Sequence, residues 1–169
     1  MAVTDFRGHA FDAAKIDASG KDVGRRVFWQ LYAVENLIRV LIHSVLSVQV
    51  GPNWWAQSVD PTLRGKIAGR VKSYANQPWH STPGKHEIYY TFLSDLNAIL
   101  AAHSNLFVTL IPDVHQWIAR IEQMRLPRNV VGHMNWPHVA DRQRIAVFHS
   151  DFQALVRKLA AAGLSLLVP

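Results

Sequence analysis

The fold class is decided by residues 27–48, which read VFWQLYAVENLIRVLIHSVLSV. Large apolar residues recur in this stretch at alternating steps of four and three, a spacing that places them on one face of an α-helix. They are Val27, Leu31, Val34, Ile38, Leu41, Val45 and Val48. Asp22 precedes the stretch with a charge that favours a helix start, and Gly51-Pro52 follows with a helix stop. We therefore expect one continuous helix over residues 24–50.

Similar patterns predict further helices on the C-terminal side of this stretch. They are expected at four places: from Asp60-Pro61 onward, over residues 91–103, from Pro112-Asp113 onward, and over residues 140–162. In the third helix we expect Phe92, Leu96, Ile99 and Leu100 to be buried. No stretch shows the alternation of a β-strand. The sequence predicts an all-α fold, a four- to five-helix bundle, in which residues 1–20 form a loosely ordered N-terminal arm and residues 21–169 a single domain.

The composition narrows the classes of protein and site. Hydrophobic residues make up 49% of the chain, which is enough for a sizeable core and too much for a disordered protein. There is no cysteine, so disulfide frameworks and thiolate metal sites are excluded. The first residues lack the apolar stretch of a signal peptide, and we expect a soluble, cytoplasmic protein with no membrane partner. The formal net charge of +6 favours a phosphate-bearing partner such as RNA, although a basic surface without function is as good an explanation.

Residues 127–135, PRNVVGHMN, carry the strongest functional signal. Pro127 is expected to interrupt a helix or to begin a new one. If it begins one, Arg128 and Asn129 lie in the first turn, where free backbone N–H groups and the positive end of the dipole favour a phosphate. Asn129 and His133 are four residues apart and would share a face of that helix. An arginine for phosphate charge, a histidine for proton transfer and an asparagine to orient it together suit RNA cleavage.

A second Arg-x4-His pair, Arg144 and His149, tests how specific this pattern is. It lies inside a smoothly amphipathic helix, apolar Ile145 follows its arginine, and no helix break is near. We therefore interpret it as a structural pair. For Arg128 and His133 a structural explanation also stays open on the residues alone. In that explanation they lie at the start of a surface helix, and His133 has an ordinary hydrogen-bond partner.

The chain resembles the HEPN superfamily of helical-bundle ribonucleases and nucleotide binders in more than this motif. An arginine, a polar residue and then a histidine, as at 128–133, are similar to the HEPN signature. Residues 35–39, ENLIR, resemble a Glu-x-x-Leu/Ile-Arg stretch of the Swt-like branch, and Trp54-Trp55 fits the position after its first helix. Residues 89–100, YYTFLSDLNAIL, resemble its Tyr-x-x-Phe-x-Asp-Leu-x-x-Ile segment with a small shift in spacing. The resemblance covers about residues 25–160.

The resemblance implies a metal-independent endoribonuclease without cofactor, which cuts RNA by attack of a ribose 2′-OH on the adjacent phosphate. His133 would act as general base or acid, Arg128 would offset charge on the phosphate, and Asn129 would hold the histidine or contact the phosphate. Glu35 and Arg39 would support the site. Such domains usually form homodimers, and many are toxins or phage-defence effectors encoded beside an antitoxin nucleotidyltransferase. Other members have lost catalysis and act as RNA- or nucleotide-binding or dimerisation modules, which is the alternative function.

Other features have structural explanations that we weigh against functional ones. Glu35 and Arg39 have the favourable order for an ion pair along a helix. Basic side chains at 66, 70 and 72 are more typical of a solvated helix face than of an RNA contact. Trp54, Trp55 and Trp79 are more typical of core caps than of base-stacking residues. The histidines lack the spacings of metal ligands, so no metal site is predicted.

Overall fold

The computed structural model describes residues 6–8 and 12–169, and every regular element in this part of the chain is helical. The helices are α1 (Ala13–Val23), α2 (Trp29–Gln49), α3 (Trp54–Ser58), α4 (Pro61–Ala75), α5 (Leu93–Ala102), α6 (Ser104–Phe107), α7 (Val114–Gly132) and α8 (Val139–Ala161). A π-helical turn, Gly24–Phe28, joins α1 to α2, and short 3₁₀ turns lie at Phe6–Gly8 and Glu87–Tyr90. The all-α prediction is confirmed.

The first long helix begins earlier than the sequence predicted. The Asp12 carboxylate accepts a hydrogen bond from the Lys15 amide at 3.2 Å and caps α1, which lies inside the stretch assigned to a loosely ordered arm. That part of the arm prediction is wrong, and residues 1–5 and 9–11 lie outside the described residues. Ile16 and Val23 are the only large apolar side chains of α1, so its periodic signal is weak.

Residues 24–49 are helical throughout, as predicted, although the first turn is π rather than α and the helix continues into α1 on its N-terminal side. By length and composition, the combined helix Ala13–Gln49 is long and apolar enough to cross a membrane, with a mean hydropathy of 1.4 over 18 residues. Half of that 18-residue stretch is buried inside the fold. Six of the seven predicted apolar positions are buried, whereas Val48 is 64% exposed. A strict spacing of 3.5 residues drifts around a helix of 3.6 residues per turn, so the last position leaves the buried face.

Helix α2 is the centre of the bundle. It packs against α8 and α5, while α7 packs against α5 and α8. The largest fully buried side chains come from all of these helices and from the connections between them. They include Ile42, Leu46, Trp54, Ile67, Ile88, Leu96, Phe107, Ile121 and Phe152. The shared packing of α2 and α7 against α5 and α8 brings Glu35 within hydrogen-bond distance of Arg128, near the C-terminal end of α7. Helix α2 also contacts the Glu87–Tyr90 turn, and the candidate site lies there.

Helix α5 is shorter at both ends than predicted. It spans Leu93–Ala102, and Phe92 is its N-cap. The Asp95 carboxylate accepts a hydrogen bond from the Phe92 amide at 2.9 Å, and this contact fixes the N-terminal boundary of α5 at Phe92. The prediction that Phe92 is buried is wrong, because a side chain at the N-cap points away from the helix face that Leu96, Ile99 and Leu100 bury.

Helix α7 contradicts the prediction of a break at Pro127. The helix continues through this proline to Gly132, so Asn129 lies in its last turn and Arg128 directly before that turn, rather than in a first turn. The missing proline N–H costs a hydrogen bond to residue 123, but Pro127 and Val131 are both buried, and this packing holds the helix together. The predicted helix-N-terminal phosphate site is therefore wrong. Residues 128–133 occupy the negative end of the α7 dipole, which favours cationic side chains.

Candidate functional site

Glu35 connects α2 to α7 through two arginines. Its carboxylate oxygens accept a hydrogen bond from Arg39 Nη2 at 2.5 Å and another from Arg128 Nε at 3.2 Å. The side chain of Glu35 is only 14% exposed. The predicted pair of Glu35 and Arg39 is thus present, and the same carboxylate binds an arginine that lies 93 positions away in sequence.

Arg39 is buried and uses its guanidinium to hold the site's framework. Its Nε and Nη2 donate to the carbonyl oxygens of Ile88 and Thr91 at 3.3 and 3.0 Å. Its Nη1 donates to the Asn36 side-chain oxygen at 3.2 Å. Since all three nitrogens bind protein acceptors, Arg39 has a positioning role: it ties α2 to the turn that precedes α5.

Arg128 is held differently, because only its Nε has a protein acceptor. Within the described part of the chain, its two terminal nitrogens make no hydrogen bond. Nη1 lies 3.2 Å from the point where a Cβ on Gly132 would be, so the absence of a side chain at Gly132 leaves room for the guanidinium. The guanidinium carbon also lies 5.6 Å from the centre of the Phe92 ring. Arg128 therefore has an oriented guanidinium whose remaining donors can bind an anion.

A cleft of about 360 Å³ opens beside Arg128. The π-helical turn contributes Phe28 to its lining, α2 contributes Tyr32 and Asn36, and Tyr89 comes from the Glu87–Tyr90 turn. The two arginines at the cleft exceed the one carboxylate, so the local charge is positive. A concave site with aromatic walls and a few fixed polar groups is typical of a small-ligand or nucleotide pocket.

His133 lies outside this cleft. It is the C-cap of α7, its side chain is exposed, and its imidazole has no hydrogen-bond partner among the described residues. The backbone N–H of His133 donates to the Asn129 carbonyl at 2.9 Å, but no side-chain hydrogen bond joins these two residues within the described part. The next residue, Met134, has a left-handed φ of 59°. The Met134 and Asn135 N–H groups donate to the Val131 and Val130 carbonyls, which is a common way for a helix to end.

No family model, curated protein or solved structure gives a significant match to this chain. A function for it therefore has to be argued from its residues and their contacts. Two further groups of residues bear on that argument, one beside the cleft and one remote from it.

The group beside the cleft centres on Asp95, which sequence reasoning did not assign to the site. Burial tends to raise the pKa of Asp95, but hydrogen bonds from the Phe92 amide, Arg70 and Lys66, together with the Arg70 charge, lower it overall. Arg70 Nη1 binds this carboxylate at 2.7 Å, and its guanidinium carbon lies 3.8 Å from the centre of the Phe92 ring. Arg70 and Lys66 therefore join α4 to α5. The prediction of a solvated face is wrong for Arg70, whose side chain is 19% exposed, whereas the side chain of Lys66 is 55% exposed and agrees with it. A helix pattern alone could not show that a buried carboxylate faces them.

The remote group is the second Arg-x4-His pair. Arg144 binds Asp141 at 2.7 Å on the surface of α8. His149 is buried on the same helix with its ring 4.9 Å from Trp29 in an edge contact. Burial, followed by the charge of Arg157, lowers the pKa of His149. The two side chains thus have separate structural partners.

The remaining aromatic and histidine candidates divide by exposure. Trp54 and Trp55 are buried and cannot stack a base, whereas Trp79 is 75% exposed. Trp54 Nε1 donates to His43 Nδ1 at 3.2 Å, and the His43 and His86 ring centres are 4.9 Å apart. Residues 6–8 and 12–169 contain no group of three or more His, Cys, Asp or Glu side chains arranged to hold a metal ion.

Proposed function

We propose that this chain is a HEPN-type, metal-independent endoribonuclease whose catalytic residues are Arg128, Asn129 and His133. The observation that carries the proposal is the hydrogen-bonding pattern of the Arg128 guanidinium. Glu35 fixes its Nε at the edge of a cleft while both terminal nitrogens keep their donors for a ligand. Planar guanidinium donors match the oxygens of a phosphate, and a partly enclosed site strengthens that interaction.

The chemistry follows from a histidine and an arginine acting on a ribose phosphate. An imidazole takes the proton of the 2′-OH, the 2′ oxygen forms a bond to phosphorus, and the bond from phosphorus to the 5′ oxygen breaks. The leaving oxygen takes a proton from an imidazolium. Arg128 offsets the negative charge that builds on the phosphate oxygens, and Asn129 contacts the phosphate or orients the imidazole. The products are a 2′,3′-cyclic phosphate and a 5′-hydroxyl.

A homodimer belongs to the same proposal. The reaction needs two proton transfers, and each chain offers one histidine in the motif, so a two-fold dimer would bring two copies of His133 to a shared groove. The exposed position of His133 supports this arrangement, because it is open to a second copy. A toxin or phage-defence role, a cytoplasmic location and an antitoxin nucleotidyltransferase partner rest on the family resemblance alone.

The test is cleavage of defined single-stranded RNAs by purified protein in the presence of EDTA. We expect cutting that His133→Ala and Arg128→Ala each reduce by about 100-fold or more. Arg144→Ala, a matched change of a surface arginine in the other Arg-x4-His pair, should leave the rate unchanged. A deoxyribose at the cut site should block the reaction. Dependence on added Mg²⁺, or cutting of the deoxy-substituted strand, would overturn the mechanism.

The second candidate is a non-catalytic RNA- or nucleotide-binding module at the same cleft. One observation favours it: His133 lies outside the cleft, and its imidazole makes no hydrogen bond with any residue that the structure describes. Binding that depends on Arg128 but gives no cleavage, with His133→Ala binding as tightly as the wild type, would select this candidate over the enzyme.

A further inference from the structure

The cleft beside Arg128 continues into a second compartment. This compartment has a volume of about 300 Å³ and shares five lining residues with the first. The shared residues are Glu35, Arg39, Pro83, Tyr89 and Arg128. The ion pair of Glu35 with Arg128 therefore stands at the boundary between two compartments of similar size. Both volumes are at the lower end of those typical for small-ligand sites, about 300–1,000 Å³.

Each compartment has an exposed aromatic side chain on its own side of this boundary. Tyr32 of α2 lines the first compartment and is 66% exposed. Tyr74 of α4 lines the second and is 41% exposed. Aromatic rings with accessible surface beside a cationic groove are typical of proteins that stack the bases of a single strand.

The charges at the boundary suit a phosphate. Glu35 is already bound by two arginines, so it does not need a cation from a ligand and leaves a net positive charge beside it. Arg70 also lines the second compartment, but its charge is compensated by Asp95. A purely apolar peptide would leave the guanidinium donors of Arg128 without an acceptor, whereas the oxygens of a phosphodiester match those donors.

We propose that this two-compartment groove binds one dinucleotide step of unpaired RNA, with the phosphate on Arg128 and one base in each compartment, against Tyr32 and Tyr74. The strand must be unpaired, because the faces of paired bases are stacked inside a duplex. This inference rests on the proposed function for the choice of RNA as ligand. It does not require cleavage.

The experiment measures binding of a short fluorescein-labelled 2′-O-methyl RNA, which cannot undergo 2′-OH attack, by fluorescence anisotropy at fixed salt. We expect the single strand to bind about tenfold or more tightly than the same strand annealed to its complement. Tyr32→Leu and Tyr74→Leu should each weaken binding by about tenfold. Trp79→Leu is the matched control, because Trp79 is 75% exposed and lines neither compartment, and it should bind like the wild type. Circular dichroism and thermal melting should show that all three variants are folded.

Competition with unlabelled ligands tests the dinucleotide step itself. A 2′-O-methyl dinucleotide should displace the labelled strand at a concentration at least about tenfold lower than either nucleoside monophosphate does. Three outcomes would overturn the inference. They are equal binding of duplex and single strand, weakened binding in only one of the two tyrosine variants, and no binding of any oligonucleotide. The binding and cleavage assays together distinguish a failure of this inference from a failure of the proposed function. Cleavage with unaffected tyrosine variants refutes the groove alone, and tyrosine-dependent binding without cleavage refutes the enzyme alone.

Discussion

Glu35 is the residue on which the geometry of the candidate site depends. Its carboxylate is largely buried and holds two guanidinium groups, one from its own helix and one from α7. Removing a buried partner of an ion pair leaves the other charges without compensation, and this costs more than the pair itself contributes. The orientation of Arg128 and the junction of α2 with α7 should therefore both respond to a change at this position.

We expect Glu35→Ala to lower the free energy of unfolding by about 3 kcal/mol, because two partly buried arginines lose their shared carboxylate. Glu122→Ala is the matched control. Glu122 pairs with Arg125 on the surface of α7 with a side chain that is 51% exposed, and its loss should cost less than about 1 kcal/mol. Urea denaturation of both variants measures the difference. Equal destabilisation would contradict a special role for Glu35.

At the scale of the elements, Asp95 caps α5 and joins it to α4. Its carboxylate caps α5 through the Phe92 amide and binds Arg70 and Lys66 of α4. The pKa of Asp95 is lowered because these hydrogen bonds and the Arg70 charge outweigh its burial. A carboxyl group with a lowered pKa stabilises the folded state above its usual pKa, and the stabilisation is lost as the pH falls through the lowered value.

We expect Asp95→Ala to reduce the free energy of unfolding by about 2–3 kcal/mol, since a helix cap and a buried ion pair are lost together. Lys66 contributes little to this figure because its side chain is 55% exposed. The control is Asp113→Ala. Asp113 is the N-cap residue of α7, but its side chain makes no capping hydrogen bond. Chemical denaturation near neutral pH compares the two, and a loss from Asp113→Ala as large as that from Asp95→Ala would refute the argument.

At the scale of the whole molecule, three half-buried or buried histidines make stability depend on pH. Burial lowers the pKa of His43, His86 and His149 below the usual value of 6.5. The charge of His86 adds to the effect on His43, whereas Glu87 opposes it on His86. Below pH 6.5 the unfolded chain binds protons that the folded chain does not. The free energy of unfolding must then decrease as the pH falls from 6.5 through the lowered pKa values.

We expect urea denaturation between about pH 8 and pH 5 to show constant stability above about pH 6.5 and a decline below it. His149→Phe should make this decline shallower. His149 Nε2 has no hydrogen-bond partner in the described part, and a phenyl ring can keep the edge contact with Trp29 without titrating. His115→Gln, a change of an exposed side chain, should leave the slope unaltered. Stability that rises as the pH falls below 6.5 would contradict the argument.

The sequence by itself determined the long amphipathic helices, because helix formation depends largely on residues no more than four positions apart; it did not predict α1 or the short helices α3 and α6. Apolar spacing predicted α2 and α8, the Asp60-Pro61 cap predicted the start of α4, and the order Glu35 to Arg39 predicted their ion pair. The all-α class follows from these local signals.

Only the tertiary structure decided which residues of distant helices are in contact. Burial of Pro127 and Val131 keeps α7 intact through a residue that breaks helices locally, and this moves Arg128 to the helix's C-terminal end. Packing of both α2 and α7 against α5 and α8 gives Glu35 its second arginine, and the N-cap role of Phe92 exposes a side chain that its apolar character predicts to be buried. These contacts depend on packing energy summed over distant segments, which no local pattern of residues contains.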